Sequence, residues 1–149
     1  SGPPFEYPEE PFSVVPIDYR RDNLLIDETR SPPRVTAVDW QSFVLGSPLS
    51  DVAYLLGASL LPEVRRPVER EIVRDYHARL IELGVRGYDW ERCWADYRRG
   101  SFAGFAVTVV ASMIVQETPR GNEMFLCMAR RHARHALDLG AEEFLTPRG

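Results

Sequence analysis

The sequence contains no lysine: all 18 of its basic residues are arginine. A mechanism that requires a lysine amine therefore cannot be completed by this chain alone. Cysteine is nearly absent too. Cys93 and Cys127 match no metal-ligand spacing and build no disulfide framework, so both are expected to be buried free thiols in a reducing cytoplasm. There is no excess of positive charge, since the formal net charge is −4, and this excludes a broad basic field for nucleic acid or an anionic membrane. Long hydrophobic runs are missing as well. The longest, Phe102 to Val115, falls short of the roughly 20 residues that a membrane span needs and predicts a buried core helix. The first sixteen residues have neither the basic region nor the apolar region of a secretion signal.

What remains is the composition of a soluble globular protein, 44% hydrophobic and 27% charged over 149 residues, long enough to bury a core. Residues 1–16 are rich in proline and glutamate and read as an extended lead-in or linker, with a short strand expected over Phe12 to Ile17. Leu24-Leu25-Ile26 and Val35 to Trp40 are two short runs separated by Ser31-Pro32-Pro33, the pattern of a β-hairpin. Helical spacing follows. Ser47-Pro48 is a helix start that leads into Val52, Leu55, Leu56 and Leu60, with Pro62 ending the run. A second helix is predicted from about Val64 to Leu83, capped by Gly84. A third starts near Asp89 and runs to Val115, and a fourth covers about Asn122 to Leu139, stopped by Gly140. The predicted fold is α+β and mostly α, a small β-hairpin followed by a helical bundle.

The chemistry is concentrated in Asp18-Tyr19-Arg20-Arg21-Asp22-Asn23 and Val38-Asp39-Trp40-Gln41. Aspartate, four residues, asparagine, and then an aspartate after the next strand is the spacing of a kinase catalytic loop with its metal ligand. Phosphoryl transfer is mostly positioning and charge neutralisation. An amide oxygen and a carboxylate suit Mg²⁺, a hard cation. A separate carboxylate can take the proton of an attacking hydroxyl. The isolated motif is weak, because turns are rich in Asp and Asn.

Context makes it specific. Asp18 to Ile26, then Val38-Asp-Trp-Gln, then Gly46-Ser-Pro-Leu-Ser-Asp-Val-Ala-Tyr54 resemble, in order and spacing, the phosphotransferase enzyme family. That group includes aminoglycoside phosphotransferases, choline-kinase-like and ecdysteroid-kinase-like proteins. Gly87-Tyr-Asp-Trp and Thr118-Pro-Arg-Gly-Asn-Glu-Met-Phe add to the likeness, which covers about residues 12 to 140. The resemblance implies the C-terminal lobe of a protein-kinase-like fold over residues 17–149, with the nucleotide-binding N-terminal lobe absent. It implies Asp18 as catalytic residue, Asn23 and Asp39 as ligands of Mg²⁺, and ATP or GTP as phosphoryl donor. The acceptor it implies is a hydroxyl of a small molecule.

Asp51 matches an acidic position that supports the catalytic loop; as an acidic residue in a first helical turn it also favours the helix dipole. Both readings stand. The sequence departs from the family in having Pro16-Ile17 where His-Gly usually precedes the catalytic aspartate, and in having no Gly-rich phosphate loop. The isolated lobe is therefore expected to be inactive or nearly so, the alternative being a non-catalytic binding module. Its exposed face would be covered by the missing lobe or by a homodimer partner.

Three further groups need placing. His132 and His135, among Arg130, Arg131 and Arg134, are expected on a solvated basic face rather than as a metal pair. Trp90, Trp94, Tyr97, Phe102 and Phe105 are either core or pocket lining. Arg20 and Arg21 either steady a phosphate or pair locally with Asp22.

Overall fold

A computed structural model describes residues 12–16, 18–41 and 43–145. The lead-in up to residue 11, together with Ile17, lies outside the described residues. The expected fold class is the observed one: two small two-stranded sheets and a bundle of helices.

The predicted hairpin forms from β1 (Ser13–Val15), β2 (Leu24–Asp27), β3 (Arg34–Ala37) and β4 (Val44–Gly46) in an arrangement that the short apolar runs only half disclosed. β2 and β3 are its antiparallel arms, with Leu24 opposite Ala37 and Asp27 opposite Arg34. Around them β1 pairs antiparallel with β4, Val15 opposite Val44. This second pairing clamps the two ends of the segment together and sets its exit towards the helices.

Helix α1 (Pro48–Ser59) has Ser47 at the N-cap as expected, although the hydroxyl makes no capping bond. Pro62 does not merely end that run. It opens α2 (Pro62–Glu82), where its missing N–H costs nothing. Helix α3 (Trp90–Ile114) starts at Asp89, whose carboxylate accepts from the Arg92 amide. Helix α4 (Pro119–Asp138) starts at Thr118, whose hydroxyl accepts from the Gly121 amide. Gly84 and Gly140 end α2 and α4 with φ of 98° and 59°, left-handed values that glycine takes without strain.

The core lies where α1, α2 and α3 meet and is built on Leu49, Ala53, Leu56, Val73, Cys93 and Tyr97. The helical aromatics belong to it: Trp90, Trp94 and Tyr97 stack in series along α3, with Arg70 and Arg74 over the indoles. Cys93 is buried as expected, but Cys127 is exposed, because it lines an open cleft between α4 and the end of α1.

Contact between α1 and α3 is the most extensive in the molecule, and glycine permits it. A Cβ on Gly100 would come within 2.8 Å of the Leu49 carbonyl oxygen and 2.9 Å of Ser50 Cα, closer than any side chain allows.

A buried ionic cluster ties α2, α3 and α4 together. The Glu69 carboxylate accepts from Arg65 and from the Tyr97 hydroxyl, and its distance to His135 Nε2 is 3.1 Å. Arg65 also reaches Asp138 at 2.6 Å, and Arg66 and Arg134 hold the same carboxylate. Burial pushes the Glu69 carboxyl up, but the bonds from His135 and Arg65 outweigh it and hold it below the usual range. Removing one partner of such a cluster strands the others. Arg65→Ala is expected to cost about 3–5 kcal/mol in urea unfolding, and a loss below about 1 kcal/mol would mean that the cluster is not a structural tie.

Candidate functional site

The catalytic-loop segment closes on its own backbone. The Asp18 amide donates to the Pro16 carbonyl at 2.6 Å, the Arg20 amide to the Asp18 carbonyl at 3.0 Å, and the Asn23 amide to the Arg20 carbonyl at 2.9 Å. Residues Arg21–Asn23 form a single 3₁₀ turn, which brings Asn23 back onto Asp18. The Asn23 side-chain nitrogen donates to the Asp18 carbonyl at 2.8 Å, with a longer contact of 3.3 Å to the carboxylate. The amide nitrogen is thus used within the loop, and Asn23 Oδ1 accepts no hydrogen bond among the described residues.

Asp39 is brought to the same end by the hairpin. The Val38 amide donates to the Asn23 carbonyl at 2.9 Å, and Asp39 follows directly with a φ of 64°. That left-handed conformation is one a short polar side chain tolerates, and it ends the alternation of β3. Trp40 folds back with its indole N–H on the Ala37 carbonyl at 3.0 Å. Asn23 and Asp39 together offer two hard oxygen ligands, which is what Mg²⁺ takes from a protein when phosphates and water fill its remaining positions. The donor set fits the ion that the sequence pattern implies. No group of three or more His, Cys, Asp or Glu among the described residues is arranged to hold a metal by itself.

Asp18 is oriented from the helical side by a residue whose part in the site was not anticipated. The Tyr54 hydroxyl, from the middle of α1, donates to Asp18 Oδ1 at 2.9 Å. Burial, and then the charge of Asp18, push the phenol well above its ordinary range, so Tyr54 remains a donor at any working pH. On its other side Asp18 Oδ2 lies 3.3 Å from Arg20 Nε. This is an ion pair without an aligned N–H, since Arg20 Nε has no hydrogen-bond partner. The carboxylate keeps 36% of its surface open.

Tyr54 is held by His132, which corrects the expectation of a solvated basic face. His132 and His135 are both fully buried. The His132 ring lies 5.2 Å from that of Tyr54 in a slot that two glycines leave open: a Cβ on Gly104 would fall 2.2 Å from the ring, and one on Gly57 2.9 Å from Nδ1. The arginines around the two histidines made the helix look wholly polar. Their spacing with Ala136 and Leu139, and glycines inside α1 and α3, were the signals for a buried imidazole face.

Asp51 lies half-buried in the first turn of α1. Its carboxylate makes no hydrogen bond among the described residues, and its charge acts on Tyr76 of α2. The contact from α1 to Asp18 is made by Tyr54.

Two clefts flank Arg20. One, of about 420 Å³, is bounded by Asp18 and Tyr54 on one side and by Thr108, Ala111, Val115 and Phe125 on the other. The second, of about 370 Å³, lies between the catalytic loop, the end of α1 and α4. None of the five aromatics of α3 lines either cleft: Trp90, Trp94 and Tyr97 belong to the core, whereas Phe105 is 40% exposed.

A family model described as the ecdysteroid kinase-like family matches residues 5–85, which include Asp18, Asn23, Asp39, Tyr54 and all of α1 and α2. The chain belongs to that family and so to the kinase-like phosphotransferases. No curated protein and no solved structure matched the chain. No helix of the described residues is long and apolar enough to cross a membrane.

Burial makes the site's support sensitive to pH. It lowers His132 to about 4 and lowers His135 as well. The unfolded chain therefore binds more protons, and the stability that depends on neutral rings is lost as pH falls from about 6.5 towards 4. Asp51 works in the opposite direction. Burial raises it to about 6, so the cost of its charge is relieved on acidification below that value. Asp51→Asn is expected to raise the urea midpoint at pH 7.5 and to give about half that gain at pH 5, midway between the folded and unfolded values. An equal gain at both pH values would show that the buried charge is not what destabilises.

Proposed function

We propose that this chain is the catalytic and acceptor-binding lobe of a phosphotransferase that moves the γ-phosphoryl group of ATP or GTP to a hydroxyl of a small molecule. The observation that carries the reading is the Asp18 carboxylate on the wall of the apolar cleft, held by the Tyr54 hydroxyl and met by the Asn23 amide. Asp18 accepts a hydrogen bond from the acceptor hydroxyl and takes its proton as the new oxygen–phosphorus bond forms and the bond to the leaving nucleotide breaks. Asn23 Oδ1 and the Asp39 carboxylate would hold Mg²⁺, which neutralises phosphate charge when bound. Arg20, paired with Asp18, is placed to steady the transferred group. The apolar wall of α3 and α4 excludes water beside the reacting hydroxyl.

A chain without lysine lacks the nucleotide-clamping amine of this fold. The grip on the nucleotide is assigned to a further lobe, and these 149 residues turn over poorly or not at all by themselves. The open hydrophobic face of the hairpin, with the opposed pair Ile26 and Val35 49% and 52% exposed, supports a covering partner, either that lobe or a second copy. Reaction in the cytoplasm with small-molecule acceptors is the setting this reading requires. A second reading, a binding module without chemistry, is favoured by Pro16 near the position where the family carries histidine.

Nucleotide binding separates the two. Asp39→Ala is expected to weaken Mg²⁺-dependent binding of a fluorescent nucleotide about tenfold or more, and an unchanged affinity removes the metal assignment. In the complete enzyme, Tyr54→Phe keeps the ring against His132 and loses only the bond to Asp18. It is expected to lower kcat roughly tenfold with KM little changed; an unaltered kcat would show that Tyr54 does not orient the reacting carboxylate.

A further inference from the structure

The second cleft beside the catalytic loop differs in chemistry from the first. Where the cleft at Asp18 is walled by aliphatic and aromatic side chains, this one gathers hydrogen-bond donors. Arg20 and Arg21 approach it from the loop, Arg131 from α4, and Ser59 from the last turn of α1. Two of its polar atoms, Arg20 Nε and Ser59 Oγ, are buried without any hydrogen-bond partner. Buried donors of this kind are rare because each costs free energy until an acceptor arrives.

Arg131 is fixed by one nitrogen, which donates to the Ala58 carbonyl at 2.9 Å, and its remaining N–H groups have no acceptor among the described residues. The Arg21 side chain likewise pairs with no carboxylate among the described residues. Asp22 is the one acidic side chain on this cleft. Arg20 is already balanced by Asp18, so Arg21 and Arg131 outweigh Asp22 by one positive charge. A cationic or purely apolar ligand would leave these donors stranded. An oxyanion would satisfy them, and guanidinium groups match carboxylate, sulfate and phosphate in shape as well as charge.

The two clefts are neighbours, with only the side chains of Arg20, Met124 and Met128, which line both, at their common border. A single molecule can therefore lie across them, with its hydroxyl at Asp18, an apolar body against α3 and α4, and a charged end at the arginines. We infer that the acceptor is an amphipathic alcohol carrying an anionic group, and that Arg21, Arg131 and Ser59 form the subsite for that anion. The inference rests on the proposed phosphotransferase reading for the position of the hydroxyl. The anion subsite itself is defined by its own donors.

The test compares matched probes on the 149-residue chain by isothermal titration: 10-hydroxydecanoate, its methyl ester, and inorganic sulfate. The carboxylate is expected to bind about tenfold or more tightly than the ester, with sulfate competing against the acid alone. In the Arg21→Gln, Arg131→Gln double variant the two affinities should become equal while that of the ester is unchanged. Should loss of the Arg131–Ala58 bond unfold the double variant, Arg21→Gln alone should reduce the preference roughly threefold, because that side chain supports no other described contact.

Equal binding of acid and ester, binding of neither, or a preference that survives the substitutions would each overturn the subsite. If Mg²⁺–ADP abolishes the preference, the arginines serve the nucleotide's phosphates and the inference falls while the phosphotransferase reading stands. Failure of that reading shows separately, as Mg²⁺-dependent nucleotide binding that is indifferent to Asp39→Ala.

Discussion

The close approach of α1 to α3 is the constraint on which the site depends. Helix axes come this near only where one of them presents no side chain, and α3 meets the backbone of Leu49 and Ser50 through Gly100. One turn further, Gly104 repeats the omission, and the space it leaves is filled by the imidazole of His132 from α4. That ring backs Tyr54, and the Tyr54 hydroxyl sets the direction of Asp18. The orientation of a carboxylate on an otherwise irregular loop is thus fixed by three helices, none of which contains it. Glycines inside helices cost about 1 kcal/mol each in propensity, and packing of this kind is the usual reason they persist.

The ionic cluster around Glu69 does a different job in the same bundle. Desolvation opposes a charge at that position, and only several simultaneous donors overcome it. Arg65, Tyr97 and His135 come from three helices, so the carboxylate is comfortable in one arrangement of α2, α3 and α4 and in few others. Through His135, which is three residues from His132 on the same helix, the cluster also sets the rotation of α4. It therefore bears on which α4 side chains face the two clefts beside the loop.

Much of the architecture was legible along the chain. Helix ends were marked by Asp89, Gly84 and Gly140, and the hairpin by two β-prone runs around a proline turn. The neighbourhood of Asp18 and Asn23 follows from local backbone geometry, since one 3₁₀ turn joins them and the hairpin sets Val38, next to Asp39, on the Asn23 carbonyl. The pairing of β1 with β4 was not legible, since strands of three residues carry almost no periodic signal. Pro62 was read only as the end of the first run, although a proline opens a helix as readily as it closes the one before. The histidines were misread because neighbouring arginines masked a buried face of small residues.

By itself the sequence determined the kinds of group available and the local turns that join them: a chain with arginine but no lysine, one kinase-type loop, and four amphipathic segments. Spacing along a strand or helix is a covalent property, so these features needed nothing beyond near neighbours. Only the tertiary structure decided that Tyr54 is the residue that meets Asp18, that His132 stands behind it, and that donors from the loop, α1 and α4 line one cleft. Those choices depend on how closely helices distant in sequence approach one another, and glycine and a buried charge cluster govern that distance through excluded volume and desolvation.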